Sequence, residues 1–150
     1  MTTTDLYNAL SDSAEEVLET MFFATVVGEA SPAEAIHPAS VAARLVFHGQ
    51  PSGVFTVAAC PGAARSLAAA FLALEENEVP QERAGEVVCE LANMICGSVL
   101  SRLEPEELFE LKHPEPVVIA GAWPCISALS ARRALDLGDG TLNICIEIET

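Results

Sequence analysis

Basic residues are scarce in this sequence, and their scarcity excludes several classes of partner. The chain has seven Lys and Arg, of which only Lys112 is a lysine, against 22 Asp and Glu, and its formal net charge is −15. A nucleic-acid-binding surface needs a basic stripe that neutralises phosphates, and this chain cannot assemble one. An anionic membrane surface would repel it for the same reason. We therefore expect no nucleic acid and no membrane as partner, and we favour a partner with a basic rim.

Long apolar segments are also missing. No uninterrupted apolar run approaches the roughly 20 residues that a membrane-spanning helix requires, and residues 1–10 lack the basic start and apolar stretch of a signal peptide. The cysteines are odd in number and show no close pairing, which favours reduced, buried thiols over a disulfide framework. These five are Cys60, Cys89, Cys96, Cys125 and Cys145. Together these features predict a cytoplasmic protein.

The common signatures of metal, nucleotide and hydrolase sites are absent from the sequence. His37, His48 and His113 are scattered and have no metal-ligand spacing. The glycines form neither a dinucleotide-binding nor a phosphate-loop pattern, and no serine stands in a G-x-S-x-G elbow. We therefore expect no metal site and no cofactor of the protein's own.

Hydrophobic residues make up 51% of the chain and no linker divides it, which predicts one folded domain over residues 1–150. Helical spacing of apolar residues is found in three segments: Asp5–Phe23, Ala63–Glu76 and Gln81–Leu103, the last ended by Pro105. Strand-like segments are Ala24–Ala30, Val41–His48, Val54–Ala59, Val117–Gly121, Ile126–Leu137 and Thr141–Glu149. Glycine-containing turns after the second and fifth of these predict two hairpins. This order predicts an α+β (mixed α/β) fold with a largely antiparallel sheet packed against helices.

The most informative segment is the helix predicted around Gly85–Arg102. At about 100° per residue, Glu86, Glu90, Asn93 and Gly97 share one face, which we name the polar stripe. An ordinary solvated face would explain the glutamates, but Asn93 is a mediocre helix former and Gly97 costs about 1 kcal/mol relative to alanine. Because glycine also lets another chain approach closely, we interpret the stripe as a docking edge.

The other side of this helix is predicted to anchor the core. Its members are Val87, Val88, Leu91, Met94, Ile95 and Val99. Three further residues, Cys89, Cys96 and Leu100, are expected to flank the stripe as a partly apolar rim.

The segment Glu90–Gly97, with the sequence ELANMICG, resembles the E-x-x-N-x-x-x-G signature helix of the CheC/CheX/FliY chemotaxis phosphatases. It is most similar to the CheX branch, and Ala14–Met21 resembles the first helix of CheX-like domains. Four residues before the glutamate the family usually has Asp or Ser, where this sequence has Glu86. The resemblance implies a CheC/CheX-like single domain in which a long signature helix packs against the sheet.

The resemblance further implies hydrolysis of the aspartyl phosphate on a CheY-type response regulator in chemotaxis or two-component signalling. The regulator supplies Mg²⁺ and a lysine around the phosphoryl group, so the phosphatase needs only to insert a helix edge and position a water. Asn93 can donate to and accept from that water, and Glu90 can pair with the regulator's lysine. These two are the predicted catalytic residues, and Glu86 and Gly97 are predicted to bind the partner.

The first predicted helix matches the motif only in part. Asp12, Glu16 and Glu19 have similar spacing, but Glu19 stands where an asparagine would be needed. A carboxylate cannot donate a hydrogen bond to the water, so we expect one active site per chain. The resemblance also implies a homodimer, and Thr141–Glu149, if it lies at a sheet edge, could pair across a two-fold axis.

Two other functions stay open. A non-catalytic adaptor of the same fold would bind a signalling or flagellar-switch protein without shortening the lifetime of its phosphoryl group. A redox- or metal-responsive function rests only on Cys89 and Cys96, which lie two turns apart on one helix flank. Buried structural thiols are the plainer explanation for that pair.

Overall fold

The computed structural model describes residues 1–30, 36–119 and 128–149. Its helices are α1 (Thr3–Met21), α2 (Pro61–Leu72) and α3 (Gln81–Leu103), with a 3-10 turn at Glu76–Glu78. Its strands are β1 (Gly28–Glu29), β2 (Val41–His48), β3 (Gly53–Ala59), β4 (Glu110–Leu111), β5 (Glu115–Val117), β6 (Leu129–Asp136) and β7 (Thr141–Ile148).

The strands of the described residues form one seven-stranded sheet. Its order is β1-β6-β7-β3-β2-β4, and β5 pairs with β2 on the same side as β4. Both predicted hairpins, β2–β3 and β6–β7, are present, and β3–β7 pairing joins them at the centre of the sheet. All of these pairings are antiparallel, which confirms the predicted α+β class.

Strand β7 lies inside the sheet, so the condition under which Thr141–Glu149 could pair across a two-fold axis is not met. It pairs with β3 on one side and with β6 on the other. Its apolar members alternate along the strand and belong to the main core: Leu142, Ile144, Ile146 and Ile148. Such alternation reports which face of a strand is buried, and it carries no information about the strand's lateral neighbours.

The helices pack on the core face of the sheet. Helix α1 contacts β6, α3 contacts β2 and β3, and the two helices contact each other. A groove lined by Asp5, Asn8 and Arg102 lies between the start of α1 and the end of α3. At the other end of α1, the ring of Phe22 stacks on Phe71 with centroids 4.9 Å apart, which joins α1 to α2.

Most predicted boundaries agree with the structure, and the exceptions have local causes. Helix α2 ends at Leu72 rather than Glu76, because Ala73 adopts a left-handed conformation. The backbone N–H of Ala73 then bonds back to carbonyls of α2. The segment Ala24–Ala30 contributes only the short β1. Residues 120–127, which include parts of two predicted strands, lie outside the described residues.

Candidate functional site

Helix α3 carries the whole polar stripe. It spans Gln81–Leu103 as predicted, and it ends before Pro105, with the N–H of Glu104 bonded to the carbonyl of Leu100. Five of the six predicted core residues are buried: Val87, Val88, Leu91, Ile95 and Val99. Length and composition would allow α3 to cross a membrane, but half of its most apolar stretch is buried within the fold, as in an ordinary core helix.

The structure brings the four predicted site residues together on the accessible strip of α3. Glu86 and Glu90 are exposed, and Asn93 and Gly97 are half-buried. Neither the carboxylate of Glu90 nor the side-chain amide of Asn93 has a hydrogen-bond or ion-pair partner among the described residues. Both groups are therefore available to a ligand or a partner protein.

Glu86 differs from Glu90 because it has a neighbour of opposite charge. The Nε atom of Arg83 lies 3.0 Å from Oε2 of Glu86, and both side chains are about half exposed or more, at 49% and 67%. An exposed pair of this kind contributes about 1 kcal/mol at most, so a partner can displace it. The sequence interpretation missed Arg83, although it lies three residues before Glu86 and therefore on the same side of the helix.

Gly97 has space around it that residues 1–30, 36–119 and 128–149 do not fill. A Cβ atom added there would meet only Cδ2 of Leu111, at an ordinary contact distance of 4.0 Å. Leu111 belongs to β4, which pairs with β2 at the sheet edge and borders this end of the polar stripe. Packing within the described chain therefore gives no reason for a glycine at this position, despite its cost in a helix.

The predicted flanks of the polar stripe need two corrections. Cys96 is completely buried and Leu100 is 2% exposed, so they belong to the core and do not form a rim. Met94, expected in the core because it is apolar, is half-buried and only packs against the core margin. Its angular position, about 40° from Glu90, places it beside the stripe and could have shown this from the sequence.

The thiols of α3 lack the properties of reactive cysteines. Burial raises the pKa of Cys96 to about 12. Burial, and then the carboxylates of Glu86 and Glu90, also raise the pKa of Cys89. Since thiolates are the reactive and metal-binding form, both shifts act against redox or metal chemistry. Within residues 1–30, 36–119 and 128–149, no group of three or more His, Cys, Asp or Glu side chains could hold a metal ion. Cys125 lies outside those ranges.

The acidic residues of α1 have a different environment from those of the polar stripe. Asp12, Glu16 and Glu19 are exposed, but Oε2 of Glu16 lies 2.6 Å from a guanidinium nitrogen of Arg102. That ion pair links α1 to the last turn of α3. Glu16 therefore has a partner across the helix pair, whereas Glu90 has none among the described residues.

Comparison with known families identifies the family of the chain. The sequence profile of the family described as chemotaxis phosphatase CheX matches residues 41–131, which is more than half of the 150 residues. The chain belongs to the CheX family. The matched region contains all of α3, including the E-x-x-N-x-x-x-G motif of Glu90, Asn93 and Gly97. No curated protein sequence matches the chain.

Solved structures of CheX and CheC-like proteins share its fold. CheX from Vibrio vulnificus is 21% identical over 99% of both chains, with a TM-score of 0.79. A CheC-like protein from Shewanella sp. PV-4 is 19% identical over 97% of this chain and 98% of its own, with a TM-score of 0.77. A chain of the CheX–CheY–BeF3–Mg²⁺ complex from Borrelia burgdorferi is 17% identical over 95% of this chain and 97% of its own, with a TM-score of 0.71. These likenesses confirm the CheC/CheX-like fold that the motif predicted.

Proposed function

We propose that this protein hydrolyses the aspartyl phosphate of a CheY-type response regulator, using the polar stripe of α3. Membership of the CheX family supports the reaction class. The observation that carries the assignment of the site is the side-chain amide of Asn93, which has no partner among the described residues and lies on the accessible strip of a packed helix. The related Borrelia burgdorferi protein was solved in complex with CheY.

The proposed reaction is an in-line attack of water on phosphorus. The water oxygen forms a new bond to phosphorus while the bond between phosphorus and the aspartyl oxygen breaks. The carboxylate leaves as an anion, and both hydrogens of the water remain on the inorganic phosphate. Mg²⁺ and a lysine of the regulator stabilise the phosphoryl oxygens, so this protein needs no metal or cofactor of its own.

Asn93 has the chemistry to hold the attacking water. Its Oδ1 accepts a hydrogen bond from the water and its Nδ2 donates one, and an uncharged amide does not repel the phosphoryl oxygens. A half-buried position on a packed helix holds this amide more firmly than an exposed loop would. Asn93 is therefore the proposed catalytic residue that orients the nucleophile.

Glu90 has the chemistry to fix the register of the two proteins. Its exposed carboxylate, which has no partner in the described part of the chain, lies one turn before Asn93 and can pair with the regulator's lysine. Glu86 adds negative charge at the start of the stripe, and Gly97 allows the regulator's backbone to approach at its end. One complete set of these residues is present on α3, and the corresponding Glu16 of α1 is paired with Arg102.

The protein is further proposed to act in the cytoplasm as a homodimer, without nucleic acid or membrane. The dimer rests on the family resemblance, and since β7 is internal, the described sheet offers only its β1 side or its β4 and β5 side as an edge. Light scattering at micromolar concentration tests this: twice the chain mass is expected, and a monomer mass would contradict it.

Phosphate release tests the proposed reaction. A CheY-type regulator is loaded with acetyl phosphate and Mg²⁺, and phosphate release is followed with and without this protein. We expect a clear acceleration that disappears in Asn93→Ala, whereas Asn8→Ala, at an exposed asparagine of α1, should retain full activity. Full activity in Asn93→Ala would refute the mechanism. Binding of the regulator without any acceleration by the wild-type protein would favour the adaptor.

A further inference from the structure

The C-terminal end of α1 presents exposed apolar side chains that the proposed reaction does not use. Phe23 is 79% exposed, Met21 45% and Leu74 40%. They adjoin in sequence the stacked rings of Phe22 and Phe71, which bring the ends of α1 and α2 together. We name Met21, Phe23 and Leu74 the apolar patch.

Phe23 adopts a backbone conformation that disfavours a side chain. Its φ is +53°, in the left-handed region, and the N–H of Ala24 bonds to the carbonyl of Leu18 at 2.9 Å to close the helix. Helices that end in this way usually place glycine at the left-handed position, because a Cβ there is strained. Burial of the Phe23 ring within the fold does not compensate for this backbone strain, because the ring is exposed. A strained backbone that carries an exposed aromatic ring is typical of a contact surface.

The apolar patch lies within reach of a protein docked on the polar stripe. The ends of α1 and α2 meet at the Phe22–Phe71 stack, and both helices contact α3, so the patch lies on helices that pack directly against the helix of the polar stripe. Packed helices lie about 8–10 Å apart, and a standard interface covers about 800 Å² per partner, a disc about 30 Å across. One partner of ordinary size can cover both features.

We propose that the apolar patch is a second contact for the response regulator, and that it supplies affinity rather than chemistry. This inference rests on the proposed phosphatase function. A second copy of the chain is a poorer occupant, because exposed Glu19, Glu75 and Glu76 adjoin the patch in sequence and the net charge is −15. Two copies would bring like charges together, whereas an apolar surface of the regulator rimmed by Lys or Arg would complement them.

The variant Phe23→Gly tests the contact without straining the fold, because glycine suits a positive φ. We expect the Kd for a regulator loaded with beryllofluoride and Mg²⁺ to rise about tenfold or more, and KM for dephosphorylation to rise similarly while kcat stays unchanged. The Tm should be unchanged or higher, whereas a merely structural residue would lower it. Tyr7→Ala is the control: Tyr7 is 41% exposed and lies over Arg133 of β6, about 24 Å along the chain's first helix from Phe23. It should bind as the wild type does.

Several results would overturn the proposal. If the wild-type protein is active and Phe23→Gly has the same Kd and KM as the wild type, the second contact is refuted and the phosphatase function stays intact. A changed oligomeric mass with unchanged Kd would make the patch a contact between copies of the chain. An equal loss of binding in Tyr7→Ala would show that any exposed apolar residue has the same effect. If the wild-type protein neither binds the regulator nor accelerates its dephosphorylation, the proposed function fails and this inference fails with it.

Discussion

Replacing Gly97 by alanine should stabilise the protein and impair it at the same time. In a helix interior, alanine is more favourable than glycine by about 1 kcal/mol in the free energy of unfolding. The new Cβ would lie 4.0 Å from Cδ2 of Leu111 and, among the described residues, would meet no other atom outside its own helix within that distance. No steric penalty from these residues therefore offsets the gain. For a chain of this length, about 1 kcal/mol corresponds to a rise in Tm of about 2–4 °C.

The same methyl group should weaken docking of the regulator. It would project from the accessible strip at the point where the proposed function requires the partner's backbone to come close. We expect KM for dephosphorylation to rise about tenfold, a loss of about 1.4 kcal/mol in binding free energy, with a smaller change in kcat. Urea denaturation and steady-state phosphate release on the same preparation measure both effects.

Gly85→Ala is the matched control. Gly85 lies in the same helix, and a Cβ there would meet no atom outside its own helix within 4 Å. It lies about 140° around the helix from Glu90, away from the polar stripe. This variant should gain a similar stability and keep wild-type KM. If Gly97→Ala gains stability and also keeps wild-type KM, then Gly97 has no part in docking. If it loses stability where Gly85→Ala gains it, the reasoning about the space beside Leu111 is refuted.

Three further predictions concern single side chains. The pKa of Cys96 is about 12 in the folded protein against an ordinary 9.0. The unfolded chain therefore loses this proton first, and stability should fall as pH rises from 9 toward 12, by up to about 1.4 kcal/mol per pH unit. Urea denaturation at pH 8.5 and 10.5 should show a smaller fall in Cys96→Ala, and an equal fall would contradict this. Arg133, whose side chain is 9% exposed, pairs with half-exposed Glu15 and Glu29. Arg133→Ala should lower the free energy of unfolding by about 1–3 kcal/mol, as measured by urea denaturation. A loss below about 0.5 kcal/mol would show that these two ion pairs add little to stability. Glu90→Lys should raise KM for the regulator more than tenfold, and an unchanged KM would remove Glu90 from the interface.

The polar stripe could be predicted from the sequence because all of its members lie on one helix. Helical periodicity specifies which residues share a face, and Pro80 and Pro105 bracket α3 so that its length is readable as well. The hairpins were predictable for a similar reason, since each joins neighbouring strands through a short turn. The local sequence pattern was therefore sufficient to predict features that lie within one helix or one hairpin.

Contacts between distant segments were not predictable in this way. The position of β7 between β3 and β6, and of Leu111 beside Gly97, depends on the order of the strands in the sheet. Phe23 and Ala73 take the left-handed conformation that usually signals glycine or asparagine, so neither residue marks its helix end in the sequence. Met94 is half-buried although it is apolar, because its angular position beside the polar stripe, and not its hydrophobicity, sets its exposure.

Single-turnover dephosphorylation by Asn93 variants tests the central claim most directly. A phosphorylated CheY-type regulator is mixed with excess wild-type protein, Asn93→Ala or Asn93→Asp, the last of which keeps the shape but loses the amide donor. Binding of each variant to the beryllofluoride-loaded regulator is measured alongside. The account predicts that with either variant the regulator loses its phosphate no faster than it does alone. It also predicts that the Kd of Asn93→Ala for the beryllofluoride-loaded regulator stays within a few-fold of the wild-type value. Dephosphorylation at the wild-type rate by either variant would contradict the claim that Asn93 positions the attacking water.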